Sequence, residues 1–351
     1  MPASIGFIGC GHIGRFHARN VRDAIARCGF DATYDAVCDL RIDRARQFAD
    51  IAGCRLITSR AEEVIDACDI VYICTETAEH PALAVQALQA GCHVFCEKPL
   101  AKNLKDAQTM AAAAAASQMT HQAGLVLHFS PVYTVLKDLM SGDWGPLLSV
   151  HMRDDQSFPT GGQYGSSWRA DPERAGSGAL LEHSIHDVDL FTRLFGEVLQ
   201  VQCETRETSG HAGIEDVAHV RFTHAGGHTS SLASIWHNIP TRQSGRSLEV
   251  FFERVRFTTE HDYFGTITME IGDQPAVTLS ADEVLDRYMD LQDLRPEEED
   301  LRSIAGLGDR RFLEAALQGK ATTPSFADAL QAHEIVDACY RSAAAGTVIG
   351  I

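Results

Sequence analysis

The stretch SIGFIGCGHIGRFHARNVRDAI, residues 4–25, decides the fold of the first part of the chain. It opens with a short apolar run that predicts a β-strand. Gly9, Gly11 and Gly14 then form the pattern G-x-G-x-x-G. The apolar residues that follow recur at the spacing of a helix. A strand, this glycine pattern and a helix, in that order, predict a Rossmann unit that binds a dinucleotide.

Each glycine of the pattern has a separate reason to lack a side chain. The first allows a tight turn, the second lets the backbone approach a pyrophosphate, and the third lets the helix pack closely on the strand. The amide groups at the start of the helix then face the phosphates. We therefore expect the cofactor to contact five loop residues, namely Gly9, Gly11, His12, Ile13 and Gly14.

The second predicted strand, YDAVCD, ends at Asp39, where the acidic residue of this fingerprint belongs. Its carboxylate would accept hydrogen bonds from the ribose hydroxyls of the adenosine and would repel a 2′-phosphate. This predicts NAD as the cofactor rather than NADP. Arg41 lies two residues further on, and its positive charge keeps NADP as the less favoured alternative.

The pattern of strands and helices changes near residue 123. Before it, short apolar strands alternate with helices, which predicts parallel βαβ units and a Rossmann domain over residues 1–123. After it, longer segments alternate apolar and polar residues, which predicts a large, open, mainly antiparallel sheet. The predicted fold is thus α/β followed by an α+β domain over residues 124–351, with a C-terminal helix over 325–345 that packs within it or back on the first domain.

Composition excludes several classes of partner. The 351 residues carry a formal net charge of −18, which argues against nucleic acid or an anionic membrane as a partner. No apolar run approaches the roughly 20 residues of a membrane helix. The ten cysteines are scattered without a CxxC pair, which predicts reduced thiols and a cytoplasmic protein. The stretch CHVFC, residues 92–96, leaves a metal site open as a minor alternative, but we expect no metal.

Two further stretches carry polar residues that could do chemistry. In EKP, residues 97–99, Lys98 directly follows the last strand of the parallel sheet, and ligands of such sheets bind beyond the carboxyl ends of the strands. In GSGALLEHSIHDVDL, residues 176–190, histidines and carboxylates are interspersed among apolar residues. Burying charged groups without partners costs several kcal/mol, so this second stretch needs a functional or structural reason.

The chain resembles the Gfo/Idh/MocA family of nicotinamide-dependent oxidoreductases. The resemblance rests on GFIGCGHIGRFH, Asp39, TETAEH, CEKPL, the pair Trp168–Arg169 and GSGALLEHSIHDVDLF, which follow the order of the family over nearly the whole chain. It implies that Thr75, His80, Glu97 and Lys98 lie along the cofactor. It also implies that Lys98, Glu182 and His186 are the catalytic group.

We expect Glu182, His186 and Asp189 to share one face of a single helix, because residues three or four apart are neighbours on a helix. Leu181, Ile185 and Val188 are expected to be buried on another face. Gly176 and Gly178 would let the chain turn into this helix. We interpret His183 and Asp187 as packing or surface polar residues.

These residues predict the oxidation of a secondary alcohol. Such a reaction needs a base for the hydroxyl proton, and histidine is the natural base near neutral pH. Lys98, as an ammonium group, would stabilise the developing alkoxide, and Glu182 would orient the imidazole of His186. A sugar, an inositol or a related polyol is the expected substrate, which His186 and three further residues would contact, namely Tyr164, Trp168 and Arg169. His237 is a weaker candidate for the same role.

The sequence departs from the family at several positions. Glu182 replaces the usual aspartate and Ser184 a frequent glycine, while Val126 and His128 stand where asparagine and arginine are frequent. A longer carboxylate and a less cationic wall make an inositol substrate less certain. The alternatives are a dihydrodiol dehydrogenase, a redox-assisted glycoside-processing enzyme or, less favoured, a non-catalytic NAD-sensing regulator.

The predicted antiparallel sheet also suggests assembly. One of its faces would be exposed in a single chain, and SLASIW and LEVFF place apolar residues in its strands. We therefore expect a homodimer or homotetramer that forms through this sheet.

Overall fold

The computed structural model describes residues 1–161, 165–295 and 299–351. Its internal contacts divide the chain into two units. The first consists of residues 1–125 and 300–331, and the second of residues 126–299 and 332–351. The sequence-based division at 123/124 differs in one respect, because it assigned residues 300–331 to the second domain.

The first unit is a Rossmann fold with a sheet of six parallel strands in the order β3-β2-β1-β4-β5-β6. Its elements up to residue 125 are β1 Ala3–Ile8, α1 His12–Cys28, β2 Ala32–Cys38, α2 Ile42–Ala52, β3 Leu56–Thr58, α3 Ala61–Ala67, β4 Ile70–Ile73, α4 His80–Gln89, β5 His93–Cys96, α5 Leu104–Ser117 and β6 His121–Ala123. This strand order brings the carboxyl ends of β1 and β4 side by side, where dinucleotides bind in such folds.

The second unit contains a nine-stranded sheet and its covering helices. The elements that follow β6 are α6 Pro131–Met140, β7 Leu147–Ser157, α7 Pro172–Ala175, α8 Ile185–Phe195, β8 Val198–Arg206, β9 Val217–His224, β10 Thr229–His237, β11 Gly245–Phe252, β12 Val255–Thr259, β13 Ile267–Ile271, β14 Val277–Leu279, α9 Ala281–Gln292, α10 Leu301–Ala305, α11 Leu307–Gln318, α12 Phe326–Ala345 and β15 Ile349–Gly350. Of these, α10 and α11 belong to the first unit, and α12 begins in it.

The return of residues 300–331 to the first unit has a packing reason. Phe312 of α11 lies with its ring centroid 5.4 Å from that of Tyr72 and 5.7 Å from that of Phe95. Tyr72 in turn stacks on Phe7, with centroids 4.7 Å apart. Phe312 and Leu313 are fully buried in this aromatic core. Because α11 covers apolar surface of the parallel sheet, it is part of the Rossmann core.

The large sheet runs in the order β14-β13-β12-β11-β7-β10-β9-β8-β15. All of its pairs are antiparallel except β7–β10. Its two faces differ, since alternate residues of β7, β10 and β11 are buried and partly exposed. We call the buried side the inner face and the other side the outer face.

The apolar residues that suggested assembly lie mostly on the inner face. In the quoted segments Leu232, Trp236, Leu248 and Val250 are buried inside the unit, so they are not available to a partner chain. The strand β10 alternates strictly, whereas Phe251 and Phe252 at the end of β11 are both partly exposed. Most other residues of β7, β10 and β11 that point to the outer face are polar, with Ile235 among the apolar exceptions. The outer face is therefore mainly polar, contrary to the reason from which an oligomer was expected.

Within the described ranges, no helix is both long and apolar enough to cross a membrane.

Candidate active site

The glycine-rich loop has the shape of a phosphate cradle. Gly9 has a φ of +97°, and a Cβ at this position would lie 2.5 Å from the carbonyl oxygen of Cys74. A Cβ on Gly14 would lie 2.3 Å from the oxygen of Gly9. A Cβ on Gly11, in contrast, would meet no atom within 4 Å, so the space beside it is open. The loop thus allows the close approach that a pyrophosphate needs.

The start of α1 fits the same ligand. Its N-cap, Gly11, has no side chain to cap the helix, and no acidic residue lies in the first turn. The first amide groups of a helix lack partners within the helix, and the positive end of its dipole favours an anion. His12 is exposed, while Ile13 packs against the core of the unit. The residues present therefore fit a bound dinucleotide.

Asp39 follows β2 and is held beside this loop. Its Oδ2 accepts a hydrogen bond from the backbone N of Cys10 at 3.0 Å, and its Oδ1 accepts one from the backbone N of Arg41 at 2.8 Å. Each carboxylate oxygen can accept a second hydrogen bond. The side chain is half-buried, so it remains available to a ligand at the edge of the loop.

Thr75 and His80 belong to the connection that follows β4. His80 is buried, with Nδ1 2.9 Å from the carbonyl oxygen of Pro99 and Nε2 3.3 Å from that of Thr75. Burial lowers the pKa of His80, which favours a neutral ring that donates to one of these carbonyls. The ring of His80 joins the Thr75 loop to the E-K-P segment, and its place along the cofactor stays a prediction.

Lys98 follows a buried carboxylate at the end of β5. The Oε2 of Glu97 accepts a hydrogen bond from the backbone N of Lys98 at 3.1 Å, and its Oε1 lies 2.8 Å from Nε2 of His17. The other ring nitrogen of His17 lies 2.7 Å from Oδ1 of Asp309. These contacts show that Glu97 is part of a buried cluster beneath Lys98, which we call the Glu97 cluster (His17, Glu97 and Asp309).

The segment that carries Glu182 and His186 differs from the single helix that the sequence predicted. Ala179–His183 forms a turn of π-helix, and α8 begins only at Ile185. Ser184 lies between them with ψ of 6°. Glu182 and His186 therefore do not lie one α-helical turn apart. The predicted burial of Leu181, Ile185 and Val188 is confirmed.

Tertiary contacts explain the wide turn. The buried carboxylate of Glu215 accepts hydrogen bonds from the backbone N of Gly178 at 2.7 Å and of Leu180 at 2.9 Å. Tyr340 donates its hydroxyl to the same carboxylate at 2.8 Å. A Cβ on Gly178 would lie 1.9 Å from the carbonyl oxygen of Glu215, so only glycine fits there.

The other end of the turn is held from the sheet. Oγ of Ser184 lies 2.8 Å from Oδ2 of Asp154 and 2.7 Å from Oγ of Ser234. Asp154 pairs in register with Ser234 on one neighbouring strand and with Arg246 on the other. This row on the inner face thus fixes the residue at which the π-turn gives way to α8.

His183 and Asp187 join the same row. Nε2 of His183 lies 3.0 Å from Oδ1 of Asp154, and Nε of Arg246 donates to Oδ1 of Asp187 at 2.7 Å. Asp187 is fully buried, so it is not a surface residue. We call Asp154, His183, Asp187 and Arg246 the Arg246 cluster.

The two carboxyl groups of the Arg246 cluster have opposite pKa shifts. Burial raises the pKa of Asp187 well above its ordinary value, and the neighbouring charge of Asp154 adds to this. Burial also acts on Asp154, but the charges of His183 and Arg246 outweigh it and hold the pKa of Asp154 well below its ordinary value. The neighbouring cations therefore favour the ionised form of Asp154, whereas burial disfavours ionisation of Asp187.

Glu182 and His186 are both buried, as expected of residues that face a small ligand or the core. Oε2 of Glu182 lies 3.4 Å from Nε of Arg169, and the guanidinium of Arg169 stacks 4.4 Å from the ring centroid of Trp168. Trp168 also packs against the cluster around Phe158. The structure thus joins three predicted site residues, Glu182, Arg169 and Trp168.

Asp189 and His128 form a pair that the sequence did not suggest. Nε2 of His128 lies 2.6 Å from Oδ2 of Asp189, and both side chains are largely buried. Asp189 is one turn after His186 in α8. His128 stands where the family often has arginine, so the carboxylate of Asp189 is matched here by an imidazole.

Two candidates for substrate contact have different outcomes. Tyr164 lies outside the residues that the structure describes. His237 lies in β10 on the outer face, because Ser234 and Trp236 of the same strand point inward. Its Nε2 lies 3.4 Å from Oδ2 of Asp155. The structure therefore places His237 on the face of the sheet opposite to the Arg246 cluster.

Cys92 and Cys96 show no metal-binding arrangement. Sγ of Cys92 lies 3.3 Å from the carbonyl oxygen of Cys68, and Cys96 is fully buried. Over the described ranges, no group of three or more His, Cys, Asp or Glu side chains could hold a metal ion.

Comparison with known proteins gives matches over most of the chain. Residues 3–125 match the model of an oxidoreductase family with an NAD-binding Rossmann fold, GFO_IDH_MocA, and residues 133–258 match the GFO/IDH/MocA C-terminal domain. An inositol 2-dehydrogenase of Cereibacter sphaeroides is 29% identical, over 97% of this chain and 94% of that protein. An uncharacterized oxidoreductase of Bacillus subtilis, YrbE, is 27% identical over 99% and 96% of the two chains.

Solved structures share the whole architecture. A levoglucosan dehydrogenase in complex with NADH superimposes with a TM-score of 0.86 at 21% identity, over 99% of both chains. An inositol dehydrogenase homolog from Azotobacter vinelandii in complex with NAD+ gives a TM-score of 0.82 at 21% identity, over 100% of this chain and 98% of that one. At this identity the likeness concerns the fold. The two family matches, which together cover the Rossmann domain and most of the large sheet, show that the chain belongs to the Gfo/Idh/MocA family of oxidoreductases.

Proposed function

We propose that this protein is an NAD-dependent dehydrogenase that oxidises a secondary alcohol of a sugar, an inositol or a related polyol. The observation that carries the proposal is the position of Lys98. It directly follows the buried carboxylate at the end of a parallel strand, in a Rossmann unit whose glycine loop is open at Gly11. Relatives named as inositol 2-dehydrogenases support the substrate class.

The chain itself supplies one group for the proton that leaves the substrate and another for the negative charge that develops on its oxygen. In our proposal the imidazole of His186 accepts the hydroxyl proton of the substrate. The ammonium group of Lys98 stabilises the negative charge that develops on the same oxygen. When bound, NAD supplies the acceptor for the hydride.

Glu182 has a role in our proposal that differs in detail from the one expected. The sequence predicts that Glu182 orients the imidazole of His186, and this role stays a prediction. Its contact with Arg169 at 3.4 Å supports a second role, in which the carboxylate holds the guanidinium against Trp168. Arg169 and Trp168 would then present a planar cationic and aromatic surface to the substrate hydroxyls.

Reduction of NAD by a panel of alcohols tests this function. The panel contains inositols, hexoses, anhydrosugars and aromatic dihydrodiols, and glycosides are assayed separately for hydrolysis. We expect turnover with at least one polyol or sugar, and its loss in Lys98→Met. Turnover restricted to dihydrodiols, or cleavage of glycosides, would replace the substrate class. Binding of NAD without any turnover would favour the regulator.

We also propose that NAD is preferred over NADP, supported by the two hydrogen bonds that hold Asp39 at the loop. A hydrogen bond to a charged group contributes about 1.5–3 kcal/mol. Asp39→Ser should therefore weaken NAD binding roughly 10- to 100-fold and improve NADP binding. Titration of both cofactors into both proteins measures this, with Asp43→Ser as a control in the exposed first turn of α2. Equal affinities of the unmodified protein for the two cofactors would contradict the preference.

The cysteines support a reducing compartment such as the cytoplasm, which we propose as the location. All ten are free thiols, and eight of them are buried.

A further inference from the structure

The Glu97 cluster contains more hydrogen-bonding groups than the proposed reaction uses. His17 of α1 is 1% exposed, Asp309 of α11 is 4% exposed and Glu97 is 7% exposed. Nδ2 of Asn20 donates to the second oxygen of Asp309 at 2.8 Å. Burying two carboxyl groups and an imidazole is costly, so the arrangement calls for a reason beyond packing.

The distances fix the number of protons in the cluster. Each ring nitrogen of His17 lies within 2.8 Å of a carboxylate oxygen, and each such contact requires one hydrogen atom between the two. A neutral imidazole has only one N–H. The cluster therefore holds two protons and one net negative charge, whichever atoms carry the protons.

The surroundings favour an imidazolium flanked by two carboxylates. Burial lowers the pKa of His17, but Asp309 and Glu97 outweigh it and raise this pKa to about 10. Burial raises the pKa of Glu97, but His17 and Lys98 outweigh it and hold this pKa below its ordinary value. The other titratable groups nearby, Tyr72, Cys74 and Cys96, have pKa values raised by burial and stay neutral.

The cluster acts on the E-K-P segment through Glu97. One oxygen of Glu97 contacts His17 and the other accepts the backbone N–H of Lys98. A Cβ on Gly124 would lie 2.7 Å from Oε1 of Glu97, so the carboxylate occupies space that only glycine leaves. Glu97 is thus fixed on three sides, and with it the backbone of Lys98.

We propose that His17 and Asp309 are positioning residues for Lys98, which they hold in place through Glu97. This inference rests on the proposed function, because it assumes that Lys98 acts on the substrate. Neither His17 nor Asp309 touches the substrate in this proposal. Both come from helices that pack on the parallel sheet.

Three variants test the hydrogen-bond logic. In Asp309→Asn, the new amide can donate to His17 and accept from Asn20, so the number of hydrogen bonds and the net charge are kept. In His17→Gln, the amide oxygen faces a carboxylate and one contact is lost. In the double variant, the two amides can pair with each other, and the glutamine still donates to Glu97.

We expect kcat of His17→Gln to fall roughly 10- to 100-fold, as for a modest misplacement of a catalytic group. The KM for NAD should stay within a factor of about 3, since the cluster lies outside the glycine loop. Asp309→Asn should lose little, and the double variant should recover much of kcat. A structural role alone would predict that the double variant is worse than either single one.

A readout without turnover comes from nitrogen NMR of the imidazole of His17 in the unmodified protein and in Asp309→Asn. We expect both ring nitrogens to be protonated at pH 8 in the first and only one in the second. A neutral ring in the unmodified protein would overturn the charge assignment. This measurement tests the charge of His17 even if His17→Gln fails to fold.

Different results would contradict the positioning role of the cluster and the proposed function. Normal kcat in His17→Gln, with Lys98→Met inactive, would overturn the positioning role and leave the proposed function intact. Full turnover of Lys98→Met would overturn the proposed function itself, and the positioning role with it.

Discussion

Lys98 and His186, the two proposed catalytic residues, stand in similar surroundings in two different units. Each is next in sequence to a buried carboxyl group, Glu97 or Asp187. Each of these groups contacts a buried cationic side chain, His17 or Arg246, which is shared with a second carboxyl group, Asp309 or Asp154. In both units the proposed catalytic residue is thus adjacent in sequence to a buried carboxyl group that distant residues of the same unit fix in place.

The two clusters differ in the group that supplies the positive charge. Arginine stays protonated at all pH values of interest, whereas the charge of an imidazole can be lost. In the Arg246 cluster the group whose pKa is raised is a carboxyl group, because Asp187 is fully buried. The comparison teaches that the cation of the Glu97 cluster, next to Lys98, can lose its charge as the pH rises. The cation of the Arg246 cluster, next to His186, keeps its charge.

The largest effect is expected from the base itself. General-base catalysis contributes about 100- to 10,000-fold in rate, so His186→Ala should lower kcat by roughly that factor while NAD affinity is kept. The rate of alcohol oxidation should fall on the acid side as the imidazole is protonated, and this limb should move or vanish in the variant. His224→Ala is a matched control, because His224 is a buried histidine of the same unit whose ring nitrogens lie 3.0 Å from the carbonyl oxygen of Gly196 and 2.7 Å from Oγ of Ser230. Full turnover with an unchanged acid limb would show that His186 is a packing residue.

The next largest effect is expected on the stability of the folded protein, which should depend on pH through the Glu97 cluster. A histidine with a raised pKa contributes stability that is complete below its unfolded value of 6.5 and is lost as the pH rises through the folded value of about 10. Over this window the contribution of His17 should fall by up to about 5 kcal/mol. In Asp309→Asn the ring is expected to be neutral, so the loss should be absent.

Denaturant unfolding of both proteins at several pH values between 6 and 10 measures the difference. Cysteine thiols ionise in this range once the chain is unfolded, but they are common to the two proteins, so their contribution cancels in the comparison. Parallel curves of unfolding free energy against pH would show that His17 is neutral in the folded protein.

A similar stability cost is expected when the Arg246 cluster loses its cation. Arg246→Met leaves Asp154 and Asp187 without the guanidinium, and breaking a buried ion pair on one side costs about 3–5 kcal/mol. Arg246→Lys keeps the charge but not all the ion pairs that the guanidinium makes with Asp154, Asp187 and Asp262, so it should cost less. Both are measured by denaturant unfolding, and turnover of the folded fraction shows whether His186 has moved. A cost below about 1 kcal/mol for Arg246→Met would indicate that the two carboxyl groups share their proton without needing the cation.

The comparison also shows how much of the molecule the sequence could predict. The Rossmann unit was predictable in detail up to residue 125, because strand, glycine loop and helix are encoded by neighbouring residues. The alternation of strands and helices predicts helices over AEEVIDA and LKDAQTMAAAAAAS, and α3 and α5 have these bounds. The return of α11 to this unit was not predictable, since Phe312 finds its partners more than 200 residues away.

The structure of residues 176–190 could be predicted only in part from the local sequence. The spacing of Leu181, Ile185 and Val188 suits an α-helix, and these residues are indeed buried. The π-turn arises from Glu215 at one end and from Asp154 and Ser234 at the other, and no periodicity within residues 176–190 reveals them. One signal was present, since the buried charges in this segment required partners, and Arg246 is among them.

The smallest effect on chemistry is expected from the outer face of the large sheet, where we still propose that copies of this chain associate. Asp154 and Asp155 are neighbours in β7, yet Asp155 points to the outer face, where Arg153 and Arg242 pair with it. Ile235 lies opposite Asp155 in register and is partly exposed. A mainly polar face of this kind suits an interface held by ion pairs around a few apolar contacts.

We therefore expect a dimer or tetramer by light scattering at micromolar concentration, and we expect Ile235→Lys to dissociate it while kcat changes less than in any variant above. The physical reason is that the new charge would be buried without a partner at the interface, while neither Lys98 nor His186 belongs to the strand that carries it. Thr258→Lys on β12, three strands away from β10 on the same face, is a control. A monomer in the unmodified protein would refute the association. A stable oligomer in Ile235→Lys would instead place the interface on another surface of the second unit or on the first unit.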